Sequence, residues 1–260
     1  MSDNPQGVFI DDVEFPFDDS TSILEFSNKS LGEKIIPTLC DDDNLKPYGA
    51  CRVCSVEVQH TEDGPKRTVA SCHTPINPGM RIYTNSDSVK TLRRNIVELV
   101  LSDHPPDCLT CEVNGNCELQ DVAASVGVRK IRYAKGKNHC DREKDLSHAY
   151  MRMDLSKCIN CSRCVRACDE VQGQFTLTMT GRGFESRITT DNDMLFGDSS
   201  CVSCGACAQT CPTSAISDVF QSKSVEADKT VRTTCSYCGV GCNLEVAVKN
   251  DEVLSIRAPQ

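Results

Sequence analysis

Cysteine spacing carries the chemistry of this chain. One stretch reads Cys158-Ile-Asn-Cys161-Ser-Arg-Cys164-Val-Arg-Ala-Cys168, and a second reads Cys201-Val-Ser-Cys204-Gly-Ala-Cys207-Ala-Gln-Thr-Cys211-Pro212, so the run C-x2-C-x2-C-x3-C occurs twice. This spacing holds two [4Fe-4S] cubes, with the fourth cysteine of each run ligating the other cube. It assigns Cys158, Cys161, Cys164 and Cys211 to one cube, and Cys168, Cys201, Cys204 and Cys207 to its neighbour. Three thiolates on a tight loop face one inorganic core, and the fourth returns from the other run to lock the halves together. Structural zinc is the plainer alternative, but it takes four-ligand sets built from C-x2-C pairs rather than triple-plus-one runs.

Three further thiol sets flank this pair. Cys40-x10-Cys51-x2-Cys54-x17-Cys72 supplies four thiolates near the N-terminus. Its first gap is longer than the C-x4-C-x2-C…C spacing of plant-type [2Fe-2S] sites, and the readings open to it are a [2Fe-2S] cluster or structural zinc. His73, beside Cys72, is expected on the surface. The set His104-x3-Cys108-x2-Cys111-x5-Cys117 offers one imidazole and three thiolates to a [4Fe-4S] cube, and neutral histidine in place of thiolate raises a cluster's potential. Cys235-x2-Cys238-x3-Cys242 forms a third cubane loop, with Gly239 and Gly241 letting backbone pass close to the core. No cysteine follows Cys242, so this [4Fe-4S] site lacks its fourth ligand. Cys140 is the one cysteine of the 19 left over, and it is expected to be a free thiol.

Composition agrees with a chain held together by cofactors. Of the 260 residues 39% are hydrophobic and 5% aromatic, and Trp is absent, which is sparse material for a large core. Cluster ligation supplies cohesion, because metal-binding free energy is folding free energy. The start, Met1-Ser-Asp-Asn-Pro-Gln, has neither the basic nor the apolar region of a secretion signal. With an odd cysteine count in cluster spacings, it points to a reducing, cytoplasmic setting. No run approaches the roughly eighteen apolar residues of a membrane span, and the net charge of -9 argues against nucleic acid, whose binders carry basic patches.

The elements that must position these ligands follow from periodicity and turn residues. Near-alternation over residues 8–17 around Asp11-Asp12 predicts a β-hairpin. Ser22 begins and Gly32 ends an amphipathic helix through Leu31, and Val53–Val58 and Met80–Tyr83 read as strands. Val89, Leu92, Ile96, Leu99 and Val100 predict a packed helix over 86–103, and Glu118–Val126 is amphipathic. Residues 129–148 are charged and aperiodic and predict an exposed connector. Phe175–Met179 and Phe184–Thr189 predict a hairpin insertion, Gln221–Thr230 a polar linker, and Glu245–Val248 with Val253–Ile256 a closing hairpin around Asn250-Asp251. Arg163 and Arg166 are expected to offset cluster charge or line an interface. The fold class is therefore α+β, a string of small iron-sulfur modules: a β-grasp [2Fe-2S] ferredoxin (1–84), a helical His/Cys3 cluster module with its charged linker (85–148), a two-[4Fe-4S] ferredoxin module (149–220) and the start of a further [4Fe-4S] domain (230–260).

The order of these sites resembles a known family. The Cys40/Cys51/Cys54/Cys72 and His104/Cys108/Cys111/Cys117 sets resemble the N-terminus of the large peripheral subunit of respiratory complex I, of [FeFe]-hydrogenases and of soluble NAD-linked formate dehydrogenases. The two-cluster module continues the resemblance to the last two. Cys235-Ser-Tyr-Cys238-Gly-Val-Gly-Cys242 looks like the opening of the bis-molybdopterin-guanine-dinucleotide domain of formate dehydrogenase α subunits. What the resemblance implies is an electron-transfer arm with no substrate site of its own. It would relay electrons between a molybdenum or tungsten bis-MGD site that oxidises formate, beyond Gln260, and flavin- and iron-sulfur-containing NAD-reducing subunits of a hetero-oligomer. The other function in view is a stand-alone electron-transfer subunit of a hydrogenase or electron-bifurcating complex.

Overall fold

The computed structural model describes residues 7–61, 63–136, 142–220 and 226–259. The chain divides into two compact units, Met1–Ser102 with Asp121–Lys135, and Asp103–Gln120 with Gly136–Gln260. Cys140 and residues 221–225 of the expected linker 221–230 lie outside the described residues.

In the first unit, strands β1 (Val8–Ile10) and β2 (Val13–Phe15) form the expected hairpin, and Asp11 and Asp12 make its two-residue turn with φ of 47° and 68°. Two successive left-handed residues match the right-handed twist of the strands, and aspartate tolerates that region better than most side chains. Helix α1 (Ile23–Leu31) follows. The Ser22 hydroxyl accepts the Glu25 N–H at 3.2 Å, the Glu25 carboxylate accepts the Thr21 N–H at 2.7 Å, and left-handed Gly32 closes the far end on the Asn28 carbonyl at 3.0 Å. Ser22→Ala should cost about 1 kcal/mol of stability, because one otherwise orphaned helix N–H loses its acceptor. A denaturant titration of the loaded protein checks it, and an unchanged midpoint counts against the cap.

Strands β3 (Ser55–Gln59), β4 (Arg67–Ala70) and β5 (Arg81–Tyr83) complete a five-stranded mixed sheet in the order β2-β1-β5-β3-β4. Only β1 and β5 run parallel, with Ile10 opposite Ile82. The helix lays Ile23, Leu24 and Phe26 on a core that includes Val8, Ile10, Val56, Val58, Met80 and Ile82. Each such side chain contributes about 1.5–3 kcal/mol on leaving water, so this unit has an apolar core of its own. Strand β4 is not expected from sequence: Arg67-Thr-Val-Ala is short and polar at its start, and its pairing with β3, Ser55 to Ala70 through Val58 to Arg67, supplies what its composition does not.

Helix α2 (Asp87–Ser102) has the expected length, with the Ser86 hydroxyl accepting the Val89 N–H at 3.3 Å. Its buried face differs from the apolar stripe. Val89, Arg93, Val97 and Glu98 are buried, whereas Leu99 is 52% exposed and Leu92, Ile96 and Val100 are only half-buried. A charge on the buried face is tolerated where a partner waits for it. Glu98 finds one in Arg132, whose Nε approaches its Oε2 at 2.6 Å. Helix α3 (Glu118–Ser125) contains the boundary between the units.

In the second unit, β6 (Met151–Met153) pairs antiparallel with β9 (Ile216–Asp218), and helices α4 (Arg163–Arg166), extended by a wide turn over Ala167–Val171, and α5 (Ala206–Thr210) follow the two cysteine loops. The insertion between them folds as the hairpin β7 (Thr178–Thr180) and β8 (Arg187–Thr189). The core of this region holds Met151, Met153, Leu177, Ile188, Phe196 and Ile216 together with Cys158, Cys164, Cys168 and Cys207. The chain closes on a meander of β10 (Lys229–Thr234), β11 (Asn243–Lys249) and β12 (Glu252–Arg257), whose second turn is again made by left-handed residues, Asn250 and Asp251. Strand β10 begins inside what the sequence reads as linker.

The expected exposed connector holds only in part. Residues 129–136 and 142–148 contain no helix or strand, yet Asp145 bridges to Met153 and accepts the Phe196 N–H at 2.7 Å, and His148 is buried. Backbone and side-chain polar groups inside a charged stretch find partners that periodicity does not register.

Candidate iron-sulfur centres

The two cysteine runs fold as near-copies. Asn160 and Ser203, two residues after the first cysteine of each run, are left-handed, as are Ser162 and Gly205, one after the second cysteine. The Asn160 N–H donates to Cys158 Sγ at 3.4 Å and the Ser203 N–H to Cys201 Sγ at 3.4 Å. Left-handed backbone at non-glycine residues costs about 1 kcal/mol each, and here it turns an amide onto a sulfur.

The thiols then gather around two cavities. The first, about 360 Å³ and partly open to solvent, is lined by Cys158, Cys161, Cys164 and Cys211 among Leu155, Ile188 and other apolar residues. The second, about 330 Å³, is lined by Cys168, Cys201, Cys204 and Cys207 with Met151, Leu177 and Phe196. Cys168 and Cys211 have each crossed to the other run's cavity. The crossing follows from α4 and α5: each contains its run's third cysteine, Cys164 or Cys207, and the fourth, Cys168 or Cys211, stands just past the helix's C-terminal end, about a turn further on. Burial pushes the thiols of Cys158 and Cys161 up to about 12, and those of Cys164, Cys201 and Cys207 upward as well. Neutral thiols suit an apolar cavity, and metal that binds there must displace their protons, so loading grows with pH. Among the described residues no three His, Cys, Asp or Glu side chains converge as the ligands of a single ion do. Soft sulfur donors set in fours around each cavity and backed by amide N–H groups fit a multi-atom iron-sulfur core.

The N-terminal set is tighter. Cys54 Sγ and Cys72 Sγ lie 3.4 Å apart, the Cys40 thiol is within hydrogen-bonding reach of those of Cys51 and Cys72, and the Cys51 N–H donates to Cys40 Sγ at 3.5 Å. The hydrogen bonds that Cys40 accepts hold it well below the ordinary thiol range, and donating them holds Cys51 and Cys72 above it. All four positions thus form one group, with Cys40, Cys54 and Cys72 buried, and His73 is on the surface. At the residue after Cys54, the Ser55 carbonyl accepts from Nε and Nη2 of Arg93 on α2 at 3.0 and 2.7 Å.

Residues 108–117 wind through successive turns, with the Cys111 N–H on the Cys108 carbonyl at 3.2 Å and the Asn114 N–H on the Cys111 carbonyl at 3.1 Å. Cys117 is buried, its thiol raised first by desolvation and further by Cys111 and Cys108 nearby; Cys108 is exposed and His104 half-buried. Among the described residues three ion pairs hold this stretch: Lys157 Nζ reaches Glu112 Oε1 at 3.4 Å, Arg152 Nη1 reaches Glu112 Oε2 at 3.9 Å, and buried Arg163 reaches Glu118 Oε2 at 2.6 Å while its Nε donates to the Thr210 hydroxyl. Arg163 therefore has a carboxylate partner. The carbonyl of Pro212, next to Cys211, lies 3.6 Å from Cys117 Sγ and accepts the Glu118 N–H at 3.2 Å. In the last set the Cys235 N–H meets the Cys242 carbonyl at 2.7 Å, closing a loop between β10 and β11 on which Cys238, Cys242 and Tyr237 are exposed.

Sequence reasoning has no purchase on His148, a lone histidine in a charged stretch. Its Nδ1 accepts the N–H groups of Tyr150 and Met151 at 3.1 and 3.2 Å. That places its proton on Nε2, which donates to the Ser203 hydroxyl at 3.2 Å on the second cysteine loop.

Known proteins share each part of this arrangement. Residues 7–87 match the model of a 2Fe-2S iron-sulfur cluster binding domain, 93–132 the NADH-ubiquinone oxidoreductase-G iron-sulfur binding region, 157–215 a 4Fe-4S dicluster domain and 228–260 a molybdopterin oxidoreductase Fe4S4 domain. The chain is 30% identical over 254 residues to an NADH-quinone oxidoreductase subunit of Rhizobium meliloti, covering 96% of this chain and 29% of that protein. It is 29% identical over 292 aligned positions to a provisionally named formate dehydrogenase of Staphylococcus haemolyticus, covering 96% of this chain and 28% of that one. The crystal structure of an NAD+-reducing [NiFe]-hydrogenase in its H2-reduced state contains a chain that superposes with a TM-score of 0.75 at 28% identity, over 86% of this chain and 92% of that one. The chain spans less than a third of the length of the two curated relatives.

Proposed function

Because the chain belongs to the iron-sulfur family shared by NADH-quinone oxidoreductase, NAD-reducing hydrogenase and formate dehydrogenase, we propose that its multi-cluster electron transfer serves a formate dehydrogenase. In this reading Cys40, Cys51, Cys54 and Cys72 hold a [2Fe-2S] cluster. His104, Cys108, Cys111 and Cys117 hold a [4Fe-4S] cluster, as do Cys158, Cys161, Cys164 and Cys211, and Cys168, Cys201, Cys204 and Cys207. Cys235, Cys238 and Cys242 supply three ligands to a last one. When bound, such clusters take up and give back electrons one at a time.

The chain's own residues set the conditions. Thiolates fix position, amides on Cys158, Cys201 and Cys40 sulfur favour added negative charge, and the largely apolar walls of the two cavities lower the local polarity. The molybdenum or tungsten bis-MGD site would belong to a further catalytic domain, and the electron acceptor to flavin- and iron-sulfur-containing NAD-reducing subunits of a cytoplasmic hetero-oligomer.

The observation that carries the formate reading is the loop Cys235-Ser-Tyr-Cys238-Gly-Val-Gly-Cys242, which lies within the residues that match the molybdopterin oxidoreductase domain. A second reading, an electron-transfer subunit of an NAD(P)-linked hydrogenase without a catalytic domain of its own, is favoured by the superposition on the NAD+-reducing hydrogenase. The test is made on the full-length gene product, purified anaerobically with its co-purifying subunits. Formate-dependent NAD reduction with stoichiometric molybdenum or tungsten is expected. Hydrogen-dependent NAD reduction without either metal would overturn the formate reading and leave the second.

A further inference from the structure

Arg93 stands on the buried face of α2 and is only 6% exposed. Its Nε and Nη2 both donate to one backbone oxygen, that of Ser55, the residue after Cys54 and the first of β3. Among the described residues no carboxylate lies in ion-pair contact with it. Its neighbour Glu98, one turn along the same helix, is engaged by Arg132 instead. Burial works against the charge of Arg93, and the acidic groups near enough to favour it are the Cys54 thiol and then Asp11. Asp11 is already occupied by the Thr84 N–H at 2.7 Å and by the Thr84 hydroxyl.

A guanidinium keeps its charge at every accessible pH. Buried without a carboxylate, it is costly unless another negative group compensates it. What the fold provides is a group of four thiols, one of them on the residue that precedes its carbonyl acceptor. The Ser55 carbonyl, gripped by two donors, fixes where the cation stands relative to Cys54.

We propose that Arg93 is the built-in counter-charge of the Cys40/Cys51/Cys54/Cys72 site and raises its reduction potential. The proposal rests on the reading of that site as a [2Fe-2S] centre. One-electron reduction adds a negative charge to a site that already carries four thiolates. A fixed cation in a low-dielectric interior stabilises the reduced form more than the oxidised one. Arg93 touches no reacting atom and acts as a positioning residue for charge.

Two substitutions separate charge from hydrogen bonding. Arg93→Gln retains an N–H donor for the Ser55 carbonyl and removes the charge; Arg93→Lys retains the charge and loses the fork. The loaded protein and both variants are titrated anaerobically, with the EPR signal of the reduced [2Fe-2S] cluster as readout. Arg93→Gln should disfavour reduction at least tenfold, a downward shift of about 59 mV for one electron, while Arg93→Lys stays within about threefold of the parent. A Gln variant that titrates with the parent overturns the proposal, as does a Lys variant displaced as far as the Gln variant. If the Gln variant fails to load iron, Arg93→Met is titrated in its place under the same criterion; if the neutral variants and Arg93→Lys all fail to load, Arg93 serves structure alone and the proposal falls. Absence of a [2Fe-2S] signal from the parent protein, with iron present elsewhere, would instead overturn the reading of the site itself and the proposal with it.

Discussion

Replacing Cys168 by alanine should empty the cavity of Cys201, Cys204 and Cys207 and leave that of Cys158, Cys161, Cys164 and Cys211 loaded, although Cys168 belongs to the first cysteine run. The reason is the crossing: Cys168 lines the second cavity and Cys211 the first. Of about eighteen iron atoms at full loading, about four should be lost, a count that follows from cluster stoichiometry. Cys211→Ala should do the reverse. Iron and sulfide analysis gives the loss, and the EPR signals of the reduced protein show which cubane has gone. If Cys168→Ala removed the first cluster and spared the second, the runs would be acting as two independent four-ligand sites and the crossing would have no functional meaning.

Removal of iron by a chelator should unfold the region around β6, β9, α4 and α5 while leaving the sheet of the first unit in place. The two cores differ in kind. Val8, Ile10, Ile23, Phe26, Val56, Val58 and Ile82 give the first unit apolar contacts that need no metal. The other core is interrupted by Cys158, Cys164, Cys168 and Cys207, which line the two cavities. Metal-site free energies, about 10 kcal/mol or more for structural zinc, are comparable with the whole stability of a domain, about 5–15 kcal/mol. Losing them removes what the sparse core cannot replace. In hydrogen exchange, amides of β6, β9, α4 and α5 should approach unprotected rates after chelation, and those of β1, β3 and β5 should remain slow. Equal protection in both regions would show that the second core stands without its clusters.

These expectations rest on features that differ in how far sequence reveals them. Helix α1 is legible to its ends because Ser22 and Gly32 act on their own neighbours: a hydroxyl meets an N–H three residues on, and a left-handed glycine closes the last turn. The hairpin turns at Asp11-Asp12 and Asn250-Asp251 are legible for the same reason. Helix α2 is legible in extent but not in orientation. Its apolar stripe suggests Leu99 and Val100 inside, whereas the fold buries Arg93 and Glu98, because the Ser55 carbonyl and Arg132, both distant in sequence, satisfy them. His148 and Asp145 are hidden likewise, since the loops that engage them lie some fifty residues away.

What the sequence by itself determined is the set of candidate ligands: two duplicated runs, the Cys40, His104 and Cys235 sets, and the expected crossing of Cys168 and Cys211. Thiol spacing is a local feature, and the left-handed turn residues within the two runs go with it. Only the tertiary structure decided the electrostatic setting of those ligands. It placed Arg163 against Glu118, Lys157 against Glu112, and Arg93 on the carbonyl next to Cys54 with no carboxylate in ion-pair contact among the described residues. Compensation of a buried charge depends on which groups meet across the fold, and no spacing along the chain encodes that meeting.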